Sequence, residues 1–179
     1  MRGAFLAAAL LLVSSALAAE PIIVPGPEKS PARTTVPAAF ISAVRARGEA
    51  GAPLPLIAPP AWGRTVPDAS GTVRLHPTVA NGLVLQVALK DLLPAHRYIL
   101  TLNGNPKLPG NDLLPDPVPG LPAERYYDFH TATTDDHGAY AATFGIVLPA
   151  GDYQVRFYVK DTADFKIVLY HDYFPCAVN

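Results

Sequence analysis

The sequence predicts an all-β protein: a seven-stranded antiparallel β-sandwich over residues 72–179, preceded by a proline-rich N-terminal arm over residues 19–71. Two observations predict this class. Seven short runs alternate apolar and polar residues with a period of two, and they are rich in β-branched and aromatic side chains, as half-buried strands are. Turn-forming glycine, asparagine and aspartate separate these runs, and strands at this spacing indicate two packed sheets.

Residues 1–18 are typical of a secretory signal peptide. Arg2 precedes an unbroken apolar run, and the small residues Ala16 and Ala18 then form an A-x-A pair that predicts cleavage after Ala18. The apolar run is shorter than the ~20 residues of a membrane-spanning helix, so an uncleaved anchor is the less favoured alternative. We expect a periplasmic or extracellular protein with no membrane span after signal cleavage.

The charge balance of the mature chain excludes two classes of partner. Loss of Arg2 reduces the 14 lysines and arginines to 13, against 15 aspartates and glutamates. A near-neutral chain lacks the basic surface of a nucleic-acid-binding protein. It also lacks a polybasic patch for a membrane surface.

The arm, residues 19–71, is rich in proline, alanine and glycine. Proline fixes φ, lacks an N–H and pushes its predecessor into extended geometry, so this segment is predicted to be an extended arm or linker. Residues 38–47, "AAFISAVRAR", lie between a proline and a glycine and are compatible with a short helix. Phe40, Ile41 and Val44 would form its apolar side. Because so short a helix is marginal in water, it would need a surface to pack on.

The seven predicted strands follow one another from residue 72 onward, and each places alternate apolar residues on one face. Between the first two strands, Asn81 and Gly82 predict a type I′ hairpin turn, which needs positive φ at both residues. Because every strand alternates, one face of each sheet is expected to be solvated. Strand by strand, the predicted inward positions are Val73, Leu75 and Val79; Leu83, Leu85, Val87 and Leu89; Tyr98, Leu100 and Leu102; Tyr127 and Phe129; Tyr140, Ala142, Phe144 and Ile146; Tyr153, Val155, Phe157 and Val159; Phe165, Ile167 and Leu169.

Residues 133–160 contain two turn signals, each followed by a strand. In "DDHGAY", Gly138 is predicted to supply positive φ, and "LPAGDY" predicts a second turn before the next alternating run. This order of D-x-x-G-x-Y, L-P-x-G-x-Y and an alternating strand resembles the transthyretin-like and collagen-adhesin B-type repeats of secreted proteins. The resemblance implies an immunoglobulin-like or transthyretin-like sandwich. The hydrolase branch of the transthyretin-like family ends in Tyr-Arg-Gly-Ser, whereas this chain ends in "PCAVN", so no activity is carried over.

Nucleophilic catalysis has little support in the sequence. After the signal peptide the serines are Ser30, Ser42 and Ser70, all in the arm and none in a G-x-S-x-G motif. Cys176 lies near the end of the chain, where a held nucleophile–base geometry is not expected. As the single cysteine it is predicted to be a buried free thiol rather than half of an intermolecular disulfide. We therefore predict a non-enzymatic protein with no catalytic residues and no cofactor.

The histidines leave a metal-binding alternative open. None of the five is part of an H-x-x-x-H or H-E-x-x-H motif. Asp128 and His130, two positions apart, are predicted to share one polar strand face, and His76 is predicted to lie on the polar side of its sheet. Solvated strand residues are the favoured interpretation, and no metal ligand is assigned. A periplasmic copper or zinc protein that uses sheet-face histidines is the alternative function.

Candidate binding residues come from one loop and two strands. Residues 103–124 form an unusually long, proline-rich loop, predicted to be a covering flap or a binding loop. The strands "RYYDFH" and "YQVRFYVK" are predicted to expose tyrosine and arginine, side chains that carry binding energy at interfaces. The candidate residues are Asn103, Asn105, Asn111, Asp112, Tyr126, Asp128, His130, Arg156 and Tyr158. Together these features favour a secreted binding or structural module of the cell envelope, with a protein or a glycan as its partner.

Overall fold

The computed structural model describes residues 19–25, 36, 38–46, 51–76, 80–105 and 125–179. Within these residues the chain forms nine strands and one helix, packed as a two-sheet β-sandwich. The predicted signal peptide lies outside the described residues, as does most of the predicted loop. The elements are β1 (Ile22–Val24), α1 (Ala38–Arg45), β2 (Pro53–Leu56), β3 (Ser70–Leu75), β4 (Gly82–Lys90), β5 (Arg97–Gly104), β6 (Arg125–Thr133), β7 (Tyr140–Val147), β8 (Gly151–Asp161) and β9 (Ile167–Val178).

The strands form two sheets. The five-stranded sheet has the order β1-β7-β4-β3-β2, and the four-stranded sheet has the order β6-β5-β8-β9. Neighbouring strands are antiparallel except for β1, which runs parallel to β7 with Ile22 opposite Phe144 and Val24 opposite Ile146. The all-β class predicted from the alternation is confirmed, with one parallel pair at a sheet edge.

The core lies between the two sheets and consists of alternate residues from each strand. Phe129 of the four-stranded sheet contacts Phe144 of the five-stranded sheet edge to face, with ring centroids 5.2 Å apart. Burying each large side chain of this kind stabilises the fold by about 1.5–3 kcal/mol. The predicted inward residues of β4 and β5 are at most 4% exposed: Leu83, Leu85, Val87, Leu89, Tyr98, Leu100 and Leu102.

Phe165, predicted to face inward, is instead an exposed residue of the β8–β9 turn. Its φ is +59°, and its N–H donates to the carbonyl oxygen of Asp161 at 2.9 Å. Left-handed backbone is incompatible with an extended strand. The last strand therefore begins at Ile167, two residues later than its alternation suggests.

Two strands lie in the segment that was predicted to be an arm, which raises the number of strands among the described residues from the predicted seven to nine. β1 adds three residues to the edge of β7, and β2 adds the four residues "PLPL" to the edge of β3. Proline is tolerated on an edge strand, because the N–H that it lacks has no neighbouring strand to bond. Proline content that disfavours central strands is therefore compatible with a strand at the edge of a sheet.

The short helix α1 forms where it was predicted and packs on the outer face of the five-stranded sheet. Phe40 and Val44 are its buried residues. Gly82 of β4 and Gly145 of β7 leave room for them: a Cβ on Gly82 would lie 2.6 Å from the Phe40 ring, and one on Gly145 would lie 2.8 Å from the Val44 Cγ2. The two glycines therefore form the depression in which the helix sits.

Of the turns predicted at Gly138 and at Asn81–Gly82, the first is confirmed and the second is wrong. Gly138 has a φ of +74°, as predicted. Asp135 holds that turn by accepting hydrogen bonds from the N–H groups of His137 and Ala139 at 2.9 and 2.8 Å. The predicted type I′ turn is wrong, because only Asn81 has positive φ (67°) and Gly82 is already the first residue of β4. Gly82 is needed for the close approach of α1 rather than for the turn.

After β2 the chain passes from one sheet to the other, in what we call the crossing segment, residues 57–64. Ile57 forms an antiparallel bridge with Tyr170 of β9, with two N–H···O bonds of 2.9 Å. The N–H of Arg64 then donates to the carbonyl oxygen of Ile167 at 2.8 Å. The crossing segment thus runs along β9 and brings Trp62 to the outer face of the four-stranded sheet.

Candidate binding surface

The outer face of the four-stranded sheet brings together five of the predicted binding residues. β5 lies between β6 and β8, so Asn103 of β5 is opposite both Tyr126 and Arg156. Two positions along β5, on the same outer face, Thr101 is opposite both Asp128 and Tyr158. Tyr158 is in turn opposite Tyr170 of β9. The separate strand predictions therefore converge on one surface.

Four aromatic residues on this face contact one another, and we call them the aromatic platform: Trp62, Tyr126, Tyr158 and Tyr170. The Trp62 ring is edge-on to Tyr170, with centroids 5.2 Å apart and an interplanar angle of 72°. It is 6.0 Å from Tyr158, and Tyr158 is 6.0 Å from Tyr126. Trp62 remains 51% exposed.

The prediction that Tyr158 is exposed is wrong, because its exposed fraction is 2%. Trp62 and Tyr126 pack against its ring, and the Asn103 amide donates to its hydroxyl at 3.5 Å. Trp62 was missed because it lies in a segment interpreted as a linker. The available signal was its identity as the single tryptophan of the chain, placed between two prolines and a glycine.

The charged side chains of this face are paired with one another. Lys160 lies 2.5 Å from the Asp128 carboxylate, and Arg156 lies 2.7 Å from the Asp172 carboxylate. Partial burial alone would lower the pKa of Arg156, but its hydrogen bonds with Asp172 and Tyr158 outweigh this and raise the pKa. The backbone N–H of Tyr173 and the Arg156 guanidinium hold the pKa of Asp172 below its usual range. Among the described residues, these two pairs thus give the face two positive and two negative charges that cancel.

His130 does not lie on this face, contrary to the prediction that it shares a strand face with Asp128. The pairing of β5 with β6 shifts by one residue between Leu100 and Thr101, with His130 opposite Leu100 and Asp128 opposite Thr101. A bulge of this kind reverses the alternation. His130 therefore turns toward the space between the sheets, where its ring is 5.0 Å from that of Phe144.

The histidines predicted for a metal site do not converge. His76 was predicted to be on the solvated side of its sheet, but it is buried beside the strand β4. Its backbone N–H donates to the Val84 carbonyl oxygen at 3.1 Å. Among the described residues, no three histidine, cysteine, aspartate or glutamate side chains lie close enough together to hold a metal ion.

The remaining predicted residues are placed as follows. Asn105 lies just beyond β5, and its N–H donates to the carbonyl oxygen of Gln154 at 2.9 Å. Asn111 and Asp112 lie outside the described residues. The question of flap against binding loop for residues 103–124 therefore stays a prediction.

A buried carboxylate fixes the crossing segment beside the platform. Asp161, at the end of β8, accepts a hydrogen bond from Arg64 and another from the N–H of Ala163 at 2.8 Å, and His96 Nε2 lies 2.9 Å from its Oδ1. Burial alone would raise the pKa of Asp161, but these hydrogen bonds outweigh it and lower the pKa. Arg64 also pairs with Asp164 at 3.1 Å. The position of Trp62 is thereby tied to the ends of two core strands.

Neither a known family model, nor a curated protein, nor a solved structure matches the chain. In the part of the chain that the structure describes, no helix has the length and apolar character needed to cross a membrane. The surface on the four-stranded sheet has to be understood from its own geometry.

Proposed function

We propose that the protein is a secreted, non-enzymatic binding module of the cell envelope that contacts a protein or a glycan through the aromatic platform. The observation that carries this proposal is the gathering of Trp62, Tyr126, Tyr170 and Arg156 on one sheet face, with Trp62 half exposed. Tryptophan, tyrosine and arginine are the side chains enriched among the residues that dominate binding energy.

The signal-like residues 1–18 support the secreted location. Cleavage after Ala18 would begin the mature chain at Ala19, three residues before β1.

The strand order supports an immunoglobulin-like type of sandwich. If β3 to β9 are lettered A to G, one sheet contains E-B-A and the other contains D-C-F-G. The constant-type immunoglobulin sandwich pairs A-B-E-D against C-F-G, so the two differ in the sheet that the fourth strand joins. We propose an immunoglobulin-like sandwich in which this fourth strand, β6, has moved to the second sheet, and in which β1 and β2 extend the first.

The proposal is tested by binding of the mature protein to isolated cell envelopes. Immobilised wild-type protein should retain envelope material, and Trp62→Ala and Tyr126→Thr should each reduce the retained amount, because threonine keeps strand propensity while removing the ring. Leu93→Ala is the matched control, since Leu93 is an exposed apolar residue in the β4–β5 connection, outside the platform. Retention that is equal in all four proteins, with unchanged melting temperatures, would show that the platform is not the binding surface.

A further inference from the structure

We propose that the ligand of the aromatic platform is a neutral oligosaccharide. This inference rests on the proposed function and narrows its partner from a protein or a glycan to an uncharged glycan. Three properties of the face support it: its size, its charge and the way Trp62 is held.

The platform is small. Across the strands, from Tyr126 on β6 to Tyr170 on β9, it covers three strand spacings, about 14 Å at ~4.8 Å each. Along the strands, from the row of Asn103 to the row of Lys160, it covers four residues, or about 14 Å at ~3.4 Å each. The described residues of the platform thus cover roughly 200 Å², far below the ~800 Å² that each partner buries in a standard protein–protein interface. A short, flat ligand fits the platform better than a folded protein does.

The charges of the face favour an uncharged ligand that is rich in hydroxyl groups. Lys160 and Arg156 are already paired with carboxylates, so an anionic ligand would have to displace Asp128 or Asp172. These two carboxylates are the more exposed partners, with side-chain exposed fractions of 47% and 68%. An ionised carboxylate has about four acceptor positions, so both can accept further hydrogen bonds from ligand hydroxyls. Sugar hydroxyls supply such donors, whereas a phosphate or a uronate would have to compete with these carboxylates for Lys160 or Arg156.

Trp62 is held in place before any ligand arrives. Tyr158 and Tyr170 pack against its ring, and the crossing segment is bonded to β9 at Ile57 and at Arg64. A preorganised side chain loses little conformational entropy on binding. An exposed, rigid indole ring offers an apolar surface for the C–H groups on one side of a pyranose, while the surrounding polar groups bond its hydroxyls.

The single tryptophan makes the platform directly observable. Trp62 is the only indole of the chain, so emission excited at wavelengths that tyrosine does not absorb reports on the platform alone. We expect a saturable emission change on titration with short neutral oligosaccharides of glucose, galactose, mannose or N-acetylglucosamine. Tyr126→Thr should weaken this binding about tenfold or more, as loss of an aromatic ring that contacts the ligand does. Leu93→Ala should leave it unchanged.

A second measurement does not depend on choosing the right sugar. Envelope material is digested with protease or oxidised with periodate, which destroys vicinal diols, and is then offered to immobilised protein. Retention that survives protease and is lost after periodate supports the inference. Retention that is lost after protease and survives periodate overturns it. If the retention of untreated envelope material nevertheless depends on Trp62, the proposed binding function holds, with a protein as the partner. Tighter binding of uronic-acid oligosaccharides than of neutral ones, or undiminished sugar binding by Tyr126→Thr, would also overturn it.

Discussion

His130 Nε2 lies 3.0 Å from the hydroxyl oxygen of Tyr140, so one hydrogen bond joins β6 of the four-stranded sheet to β7 of the five-stranded sheet. Burial lowers the pKa of His130 from its ordinary value near 6.5. The folded state therefore favours the neutral imidazole, whereas the unfolded chain takes up a proton as the pH falls below about 6.5. The contribution of His130 to stability is complete above that pH and is lost as the pH falls toward the folded pKa.

We therefore predict that His130→Gln reduces the loss of stability between pH ~7.5 and ~5.5. The measurement is urea unfolding of both proteins at the two pH values. His137→Gln is the control, because His137 is exposed in a turn, away from the space between the sheets. Equal pH dependence in wild type and His130→Gln would show that the imidazole titrates normally in the folded protein.

A second prediction concerns the glycines under α1. Gly82→Ala and Gly145→Ala should each destabilise the fold by about 1–3 kcal/mol, the usual cost of overpacking. The new methyl group meets the Ile146 carbonyl oxygen and the Phe40 ring at position 82, and the Val44 side chain at position 145. Gly151→Ala is the matched control: its Cβ would meet only the Tyr153 ring, at 3.6 Å or more. Chemical denaturation of the three variants measures the difference. Similar stabilities for all three would mean that α1 and the neighbouring strand β7 can shift without cost.

A third prediction concerns the buried carboxylate that fixes the crossing segment. Asp161→Asn should destabilise the fold by about 2–4 kcal/mol, less than a fully buried ion pair, because Arg64 is partly exposed. The lowered pKa of Asp161 means that its contribution is present above about pH 4, the unfolded value, and is lost as the pH falls through the folded value. The variant should therefore show a flatter stability profile in acid.

The control for the Arg64–Asp161 ion pair is Asp164→Asn, which removes the more exposed partner of Arg64. It should cost at most about 1 kcal/mol, as exposed ion pairs do. The Trp62 emission should shift in Asp161→Asn, since the crossing segment loses an anchor, and should stay unchanged in Asp164→Asn. A larger effect from Asp164 than from Asp161 would contradict the assignment.

Cys176 should be unreactive in the folded protein. Cys176 is half-buried against the core, and this burial raises its thiol pKa to about 12, so the thiolate that reacts with alkylating agents is scarce near neutral pH. We expect slow labelling by iodoacetamide in buffer and fast labelling in denaturant. Rapid labelling of the native protein, or a disulfide-linked dimer on non-reducing gels, would contradict a buried free thiol.

The exported protein should begin at Ala19. Fractionation followed by N-terminal sequencing tests this prediction, which follows from the A-x-A pair before the cleavage position. A Trp62→Phe variant should be processed identically, because it differs only in the mature part. A cytoplasmic protein that starts at Met1 would exclude export.

The sequence predicted the strands best where local pattern and burial agree, as in β4 and β5. The sequence-based predictions failed where contacts between distant parts of the chain determine whether a side chain is exposed or which way it faces. Tyr158 lies on the outer face of its sheet, as the alternation predicts, but it is buried because Trp62, which is distant in sequence, packs over it. His130 is two positions from Asp128 and would share its face in a regular strand, but a one-residue bulge reverses it. Neither a long-range cover nor a bulge leaves a periodic signal in the chain.

The parallel pairing of β1 with β7 has a mechanical consequence. β7 and β8 are joined by only three residues and run in opposite directions in the two sheets. β9 is antiparallel to β8, and β1 is parallel to β7, so β1, β7 and β9 all run in the same direction. Ala19 and Asn179 therefore lie toward opposite ends of the sandwich. A force that pulls these residues apart loads the bonds between β1 and β7 lengthwise and together, so that they resist in shear instead of opening one by one.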